Sequence, residues 1–461
     1  MASFEGQYPT RYQAVTIHNV AKQPEWQKLD PEHREAIEVV AQVLPFRTNV
    51  YVMRELIDWD NIPDDPMFQL TFPQPGMLDY EDYIAMRDLI RRGASRKEII
   101  AKANEIRYKL NPHPAGQLTH NVPEMDGERL WGMQHKYRET VLFFPAQGQT
   151  CHAYCTYCFR WAQFIGVEEL KFAAKEIENL VEYLKRHPSV TDVLFTGGDP
   201  MIMKSKALRH YIEPLLDPEL EHVRDIRIGT KSLAYWPQRY VTDEDADDIL
   251  RLFEQVVKAG RHLAIMAHTT HPREMETPIA REAIRRVRET GAEIRMQAPI
   301  VHPINDDPEV WATMWQEGVR LGMVPYYMFI ERDTGPKNYF EVPLYRAQEI
   351  FAEAYRRVSG LARTVRGPSM SAWPGKVRVV GTSVINGEKV FVLEFLQGRD
   401  PSWVGRPFFA KFDPEATWFD DLRPAFGEEK FFFEKDVEER EFHWWEVDDI
   451  KAQTRVAVPV A

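Results

Sequence analysis

All three cysteines of this chain lie within eight consecutive positions, in the segment CHAYCTYCFR at residues 151 to 160. They are Cys151, Cys155 and Cys158. An odd number of thiols at such close spacing does not suit a disulfide framework. A structural zinc site would normally need four protein ligands, and His152 is poorly placed to be the fourth. Three thiolates instead suit a [4Fe–4S] cluster, in which one iron keeps an open coordination position.

The spacing Cys-x3-Cys-x2-Cys, with Tyr157 directly before the last cysteine, resembles the signature of radical S-adenosylmethionine (SAM) enzymes. The resemblance implies that SAM chelates the open iron and is cleaved to a 5′-deoxyadenosyl radical by an electron from the cluster. It also implies a reducing partner such as flavodoxin or ferredoxin. On the motif alone, a non-catalytic metal-binding protein remains the alternative.

Six short apolar runs follow one another along the chain, separated by charged segments whose apolar residues recur at helical spacing. This order predicts an α/β fold with βαβ units and a parallel sheet curling toward a barrel. The cysteine loop follows the first run and the GGDP turn follows the second, so both are expected at the carboxyl ends of strands, where such folds build active sites. The runs are VLFFPA at 141 to 146, DVLFTGGDP at 192 to 200, DIRIGT at 225 to 230, HLAIMAH at 262 to 268, EIRMQAPIV at 293 to 301 and VPYYMFI at 324 to 330.

A series of longer motifs resembles the lysine 2,3-aminomutase family over roughly residues 120 to 380. The motifs are HKYRETVLFF, the cysteine segment, VTDVLFTGGDP, RIGTKSLAYWPQR, AHTTHPRE, MQAPIVHPINDD and VPYYMFIERD, in this order. The resemblance implies a partial (β/α)6 radical SAM barrel and a second cofactor, pyridoxal 5′-phosphate (PLP). It implies an isomerase that moves the amino group of an α-amino acid, lysine or another, from C2 to C3.

The family resemblance also assigns roles to individual residues. At the place of the family's Schiff-base lysine the sequence reads SMSAWPGKVRVVG, which makes Lys376 the candidate, although PGK also suits a surface turn before a strand. Arg160 matches the arginine that binds the substrate carboxylate, a role that suits a planar guanidinium. The alternative for Arg160 is a solvated side chain that opens the following helix.

Contacts to the two small cofactors and to the far end of the substrate are implied in the same way. SAM is expected to contact Tyr157, Gly197, Gly198, Asp199 and Gln297, although a GGD segment is also an ordinary turn between strand and helix. Lys136 and Arg138 are expected near the PLP phosphate, and Asp306 is expected to hold a distal ammonium group. A second aspartate of the family has no acidic counterpart in MSAWPG, so another α-amino acid than lysine is an open alternative.

Composition and the flanking segments complete the prediction. The net charge of -12 argues against a general nucleic-acid binder, and no apolar stretch is long enough for a membrane span or signal peptide, so a cytoplasmic protein is expected. Residues 1–120 are expected to be a helical region for oligomer contacts and barrel cover, 121–335 the radical SAM partial barrel, and 336–461 a small α+β extension with the PLP lysine. The resemblance implies a homo-oligomer.

Two alternatives to the aminomutase remain. One is a radical SAM enzyme of the same lineage that acts on a protein lysine or a natural-product intermediate, with or without PLP. The other is the metal-binding protein without catalytic activity.

Overall fold

The computed structural model describes residues 4, 6–9, 11–112, 114, 121–166 and 171–439. Residues 440–461 of the predicted C-terminal extension therefore lie outside the described residues. The strands are β1 (Ala14–Thr16), β2 (Arg47–Asn49), β3 (Glu124–Met125), β4 (Glu128–Arg129), β5 (Met133–Tyr137), β6 (Thr140–Phe143), β7 (Asp192–Phe195), β8 (Asp225–Thr230), β9 (His262–His268), β10 (Glu293–Ile300), β11 (Val324–Ile330), β12 (Arg366–Ser371), β13 (Gly375–Ile385), β14 (Glu388–Gly398) and β15 (Pro407–Lys411).

Helices precede the sheet and connect its strands, as the alternation of patterns predicts. They are α1 (Pro31–Val40), α2 (Pro66–Thr71), α3 (Tyr80–Arg91), α4 (Arg96–Lys109), α5 (Ile177–Arg186), α6 (Ser205–Ile212), α7 (Ser232–Tyr235), α8 (Ala246–Lys258), α9 (Pro278–Glu289), α10 (Pro308–Arg320), α11 (Lys337–Phe340), α12 (Leu344–Arg357) and α13 (Phe432–Glu439). Among these residues, no helix combines the length and apolar character needed to cross a bilayer.

Eleven strands form one sheet in the order β15-β14-β13-β12-β11-β10-β9-β8-β7-β6-β5. Strands β6 to β12 are parallel, whereas β5 at one end and β13 to β15 at the other pair antiparallel. The six apolar runs of the sequence correspond to β6 to β11 in the predicted order, which confirms the α/β class. The seventh parallel strand, β12, was not predicted because RGPSMS contains glycine and proline and lacks an apolar pattern.

Local sequence explains both the strands and the helices that cover them. In β9 the residues from Leu263 to Ala267 are all buried, as in a strand covered on both faces. Helix α9 buries Ile279, Ala283 and Val287 at helical spacing, and the Thr277 side chain accepts a hydrogen bond from its first turn. Such helices are held mainly by their apolar faces, so their packing determines where each strand ends.

The N-terminal region packs directly on the cysteine segment. Its apolar core, built on α1 to α4 and the turns between them, also contains Tyr157 and Trp161. Asn49, at the end of β2, is buried and donates hydrogen bonds from Nδ2 to the carbonyl oxygens of His152 at 3.1 Å and Tyr235 at 3.0 Å. The cysteine segment is thus held from outside the sheet as well as by it.

Side-chain hydrogen bonds connect β5 with the loop that joins β12 to β13, although no backbone pairing in the described residues closes the sheet there. Lys136 Nζ, on β5, donates to the carbonyl oxygen of Ala372. Arg399, just after β14, donates to Asn121 Oδ1 at 2.7 Å and to the carbonyl oxygen of Trp373 at 2.9 Å. We call this side-chain junction, formed by these five residues, the seam. It shows that the sheet curves until its distant strands face each other.

Candidate active site

A cavity of about 370 Å³ lies inside the curved sheet, and every strand from β5 to β14 contributes to its wall. Most of the residues singled out in the sequence line this cavity. They are Lys136, Cys151, Cys155, Tyr157, Cys158, Arg160, Gly197, Gly198, Asp199, Gln297 and Lys376. The structure therefore brings together residues that are up to 240 positions apart in the sequence.

The three cysteines lie in the loop after β6, and neighbouring backbone holds that loop in place. Thr156 N donates to the carbonyl oxygen of Leu70 at 2.9 Å, and Cys158 N donates to that of Cys155 at 3.0 Å. Burial raises the pKa of all three thiols, to about 12 for Cys158. Cationic iron would favour the thiolate forms that such burial disfavours.

The arrangement of the thiols suits a cluster better than a single ion. In the described part of the chain, no three His, Cys, Asp or Glu side chains converge as the ligands of one metal ion would. In a [4Fe–4S] cluster each thiolate binds a different iron, so the three sulfur atoms need not share a centre. All three cysteines line one cavity, so each could bind a different iron of such a cluster.

The GGDP turn after β7 packs against residues 148–150, the segment directly before Cys151. Gly197 has φ +143°, and a Cβ on Gly198 would lie 2.5 Å from the backbone nitrogen of Thr150. Asp199 is buried, and its carboxylate accepts hydrogen bonds from Thr230 Oγ1 at 2.7 Å and Lys231 N at 2.9 Å. The glycines are therefore required here by close packing, and the turn exposes its backbone to the cavity.

Tyr157 and Gln297 occupy the neighbouring wall. The Tyr157 hydroxyl pairs with Thr270 Oγ1 at 2.8 Å, so its ring position is set by the loop after β9. Gln297 lies on β10 and faces the same cavity. Lys231, which the sequence analysis did not single out, also lines this wall and forms an ion pair with buried Glu274 at 2.6 Å.

Lys376 lies at the carboxyl edge of the parallel strands for a topological reason. Strand β13 returns antiparallel from the end of β12, and Lys376 pairs with Ser371 at that return. Its Nζ lies 4.1 Å from the centre of the Tyr327 ring. Burial, followed by the nearby cations Arg227 and Arg366, lowers the pKa of Lys376 to about 7. A lysine with this pKa is substantially neutral near pH 7 and can act as a nucleophile toward an aldehyde.

Arg160 enters the cavity two residues after Cys158. Its guanidinium carbon lies 4.1 Å from the centre of the Phe144 ring, and 5% of the residue is exposed. The buried Nε and Nη2 atoms have no hydrogen-bond partner among the described residues. These two atoms form one edge of the guanidinium, the edge that binds a carboxylate through two parallel hydrogen bonds. The arrangement rules out the solvated alternative.

Two of the predicted site residues lie elsewhere. Asp306 Oδ2 pairs with His302 Nδ1 at 2.8 Å in the partly exposed loop after β10, and Asp306 is absent from the cavity wall. Arg138 follows β5 at the turn into β6 and also does not line the cavity. The cis peptide bond at Pro303 belongs to the loop that carries Asp306.

Two charged residues that the sequence analysis did not select do line the cavity. Glu331 and Arg332 follow β11 directly. The sequence contains a signal that could have identified them as site residues, because they are the first charged residues at the carboxyl end of a predicted parallel strand. Burial raises the pKa of the Glu331 carboxyl group well above its usual range.

Comparison with known proteins agrees with this geometry. The model of the radical SAM superfamily matches residues 148–314. A protein of Aquifex aeolicus, provisionally named L-lysine 2,3-aminomutase, is 31% identical over 405 residues, which are 88% of this chain and 94% of the relative. The L-lysine 2,3-aminomutase of Acetoanaerobium sticklandii is 26% identical over 382 residues, 82% of this chain and 80% of its own.

A third relative carries a different name. It is the glutamate 2,3-aminomutase of Clostridioides difficile, 29% identical over 212 residues, which are 46% of this chain and 47% of that protein. The superfamily implies a [4Fe–4S] cluster and SAM. The match to the Aquifex aeolicus protein, which covers 88% of this chain, shows the narrower family. The chain belongs to the lysine 2,3-aminomutase family of radical SAM enzymes and is an isomerase of the aminomutase type.

Proposed function

We propose that this protein is a PLP-dependent aminomutase that moves the amino group of a free α-amino acid from C2 to C3. The observation that carries the proposal is the position of Lys376 and Arg160 on the wall of the same cavity as the three cysteines. One cavity thus holds a nucleophilic amine, a carboxylate-binding guanidinium edge and the ligands of a radical-generating cluster. The fold of this catalytic part is proposed to be the partial (β/α)6 barrel, extended by β12 to β15.

Each cofactor has residues that suit it. Cys151, Cys155 and Cys158 would hold the cluster, and the GGD backbone at 197–199, with Tyr157 and Gln297, would contact SAM. Lys376 would bind PLP, with Lys136 nearest to its phosphate. Arg138, which does not line the cavity, is a weaker candidate for that phosphate. When bound, the cluster and SAM supply a hydrogen-abstracting radical, and PLP holds the migrating nitrogen and delocalises unpaired electron density.

The protein's own residues supply orientation and a dry site. Arg160 would hold the substrate carboxylate by its unpaired Nε and Nη2 atoms and so fix the direction in which C2 and C3 point. Lys376, whose pKa burial lowers to about 7, is partly neutral near pH 7, and this fraction can bind the aldehyde of PLP without first losing a proton to solvent. The aromatic wall formed by Phe144, Tyr327 and Phe329 would exclude water, which quenches radicals.

The remaining expectations stay proposals. We propose a reducing partner such as flavodoxin or ferredoxin, a homo-oligomeric assembly and a cytoplasmic location. The division into 1–120, 121–335 and 336–461 is also kept as a proposal. Its last boundary crosses a single sheet, because β11 pairs with β12.

The decisive experiment is anaerobic reconstitution with iron, sulfide, SAM and PLP, followed by borohydride reduction and peptide mapping. We expect a pyridoxyl group on Lys376, SAM cleavage under reducing conditions, and a β-amino acid product in a screen of free amino acids. Lys389→Ala is the matched control, since Lys389 also lies over an aromatic ring, 3.5 Å from the centre of Phe412, but is exposed. SAM cleavage without any pyridoxyl adduct would favour the related radical enzyme that works without PLP.

A further inference from the structure

We infer that the substrate carries a second anionic group at the end of its side chain, and that Arg332 binds this group. The inference rests on the proposed function, because it names the substrate class of that same site. A dicarboxylic amino acid would have this chemistry, with its α-carboxylate on Arg160 and its distal carboxylate on Arg332.

Arg332 is placed to contact a ligand in the cavity. It lies two residues beyond the end of β11, and its guanidinium carbon is 5.2 Å from the centre of the Phe159 ring and 5.8 Å from that of Trp418. The Nε atom is buried and has no hydrogen-bond partner in the described part of the chain. A buried guanidinium N–H without a partner is costly, so its position indicates a missing acceptor.

The charged neighbours of Arg332 do not supply that acceptor. Burial raises the pKa of Glu331 well above its usual range, which disfavours the anionic form, and Asp333 does not line the cavity. Asp333 receives a hydrogen bond from Asn111 Nδ2 at 3.4 Å. Within the described residues, neither carboxyl group forms an ion pair with Arg332 at 4.0 Å or less.

The other cations of the cavity have identified roles. Arg227 forms an ion pair with Asp192, and Lys231 with Glu274. The remaining four lack a carboxylate partner among the residues described, and they are Lys136, Arg160, Arg332 and Lys376. In the proposed function, Lys376 binds the PLP aldehyde, Lys136 approaches the PLP phosphate and Arg160 holds the α-carboxylate. Arg332 then remains as the buried cavity cation with neither an ion pair in the described residues nor a role in the proposed reaction, and a further anion would stabilise it.

A substrate with a distal ammonium group would meet the opposite situation. The carboxyl groups that line the cavity are Asp199, which already accepts hydrogen bonds from Thr230 and Lys231, and Glu331, whose pKa burial raises. Asp306, the residue expected to bind an ammonium group, lies outside it. An ammonium group near Arg332 would be repelled by an unscreened like charge. Charge therefore selects against lysine at this end of the cavity.

The test is equilibrium binding to the fully reconstituted protein by titration calorimetry, with L-glutamate and L-aspartate each compared with its amide and with L-lysine. We expect at least one dicarboxylate to bind about 10- to 100-fold more tightly than its amide and than lysine, as for hydrogen bonds to a charged group. Arg332→Gln should remove most of this difference, and Arg332→Lys should restore part of it. Arg406→Gln is the matched control, because Arg406 also lies over an aromatic ring, 3.9 Å from the centre of Phe432, but outside the cavity.

Equal binding of the acids and their amides, or no binding of either acid, would overturn the inference, as would a preference that survives in Arg332→Gln. Product analysis of the same samples separates this failure from failure of the proposed function. A β-amino acid formed from lysine or a neutral amino acid, but not from an acidic one, would keep the aminomutase and refute the role of Arg332. Arg332-dependent binding of a dicarboxylate without any β-amino acid would keep the anion site and refute the aminomutase.

Discussion

Lys376 shows how burial can prepare a single residue for chemistry. Its amine lies over the Tyr327 ring, next to other cations, and its pKa falls to about 7. The amine is therefore protonated below pH 7 and neutral above it. An exposed lysine stays protonated up to about pH 10.4.

This pKa predicts the pH dependence of PLP binding. For PLP added to cluster-containing protein that lacks it, the binding rate should rise about tenfold from pH 6 to pH 8, because the neutral fraction of Lys376 rises from roughly one tenth to nine tenths. Stopped-flow absorbance of the bound chromophore measures it. A rate that keeps rising to pH 10 would show that the amine has the pKa of an ordinary exposed lysine.

Arg160 yields a second prediction at the residue scale. Arg160→Lys should lower kcat/KM for every amino-acid substrate by about 10- to 100-fold, because lysine keeps the charge but loses the two-pronged guanidinium edge. Iron content and SAM cleavage without substrate should change little, since Arg160 is not a cluster ligand. Steady-state kinetics across several substrates tests this, and a loss confined to one of them would contradict carboxylate binding.

Residue type and chain position together predicted one site for Cys151, Lys376 and Arg160, and the three residues do line one cavity. They were not sufficient for Asp306, because an acidic residue in a loop gives no local signal of the direction in which it points. Its partner proved to be His302, four residues away. Arg332 was not predicted, because the family resemblance implies aspartates, not an arginine, at the distal end of the substrate. Arg332 nevertheless follows β11 and lines the cavity.

At the scale of elements, the turn after β7 and the segment before Cys151 are in such close contact that only glycine fits. A Cβ on Gly198 would lie 2.5 Å from the Thr150 nitrogen, so one of the two segments would have to move.

We therefore expect Gly198→Ala to displace the cysteine loop, lower the iron content after reconstitution and destabilise the protein by about 1–3 kcal/mol. Iron analysis and thermal unfolding measure these effects. Gly360→Ala is the control, since a Cβ there would meet no atom within 4 Å. Full iron content in Gly198→Ala would mean that the contact can relax without cost to the cluster.

Strand β12 marks the limit of prediction for elements. Continuous apolar runs in the sequence predict strands β6 to β11. The segment RGPSMS, in contrast, becomes strand β12 because β11 and β13 pair with it on either side. Tertiary context thus overrode weak local propensity. The position of Lys376 depends on this strand, because β13 begins where β12 ends.

At the scale of the whole molecule, the N-terminal region supports the cluster loop. Asn49 donates one amide hydrogen bond to the carbonyl of His152, inside the cysteine segment, and another to Tyr235, whose hydroxyl lies 3.2 Å from Cys155 Sγ. The sequence predicted a helical region here, and α1 does begin after Asp30, whose side chain accepts a hydrogen bond from His33 N at 2.8 Å. It could not predict this contact, because the residues that meet are 103 and 186 positions apart.

Asn49→Ala should consequently destabilise the protein by about 2 kcal/mol, since the buried carbonyl oxygen of Tyr235 loses the Asn49 donor and that of His152 keeps only the Tyr12 hydroxyl. It should also speed the loss of iron when the holoprotein is incubated with a chelator. Asn19→Ala, which removes a partly buried side-chain contact within the N-terminal region, is a suitable comparison. Equal rates of iron loss in the two variants would show that the N-terminal region does not stabilise the cluster.

The seam gives the cavity a wall that can part. Across the seam, side-chain hydrogen bonds from Lys136 to Ala372 and from Arg399 to Asn121 stand in place of backbone pairing between strands. Each is worth about 0.5–3 kcal/mol, and separating them does not require the strands themselves to unfold. A flat aromatic ring could then enter or leave edge-on beside Lys136 while β6 to β11 stay intact. Exchange of bound PLP for free PLP should therefore be much faster than global unfolding. The enzyme could then regain lost PLP without unfolding and refolding.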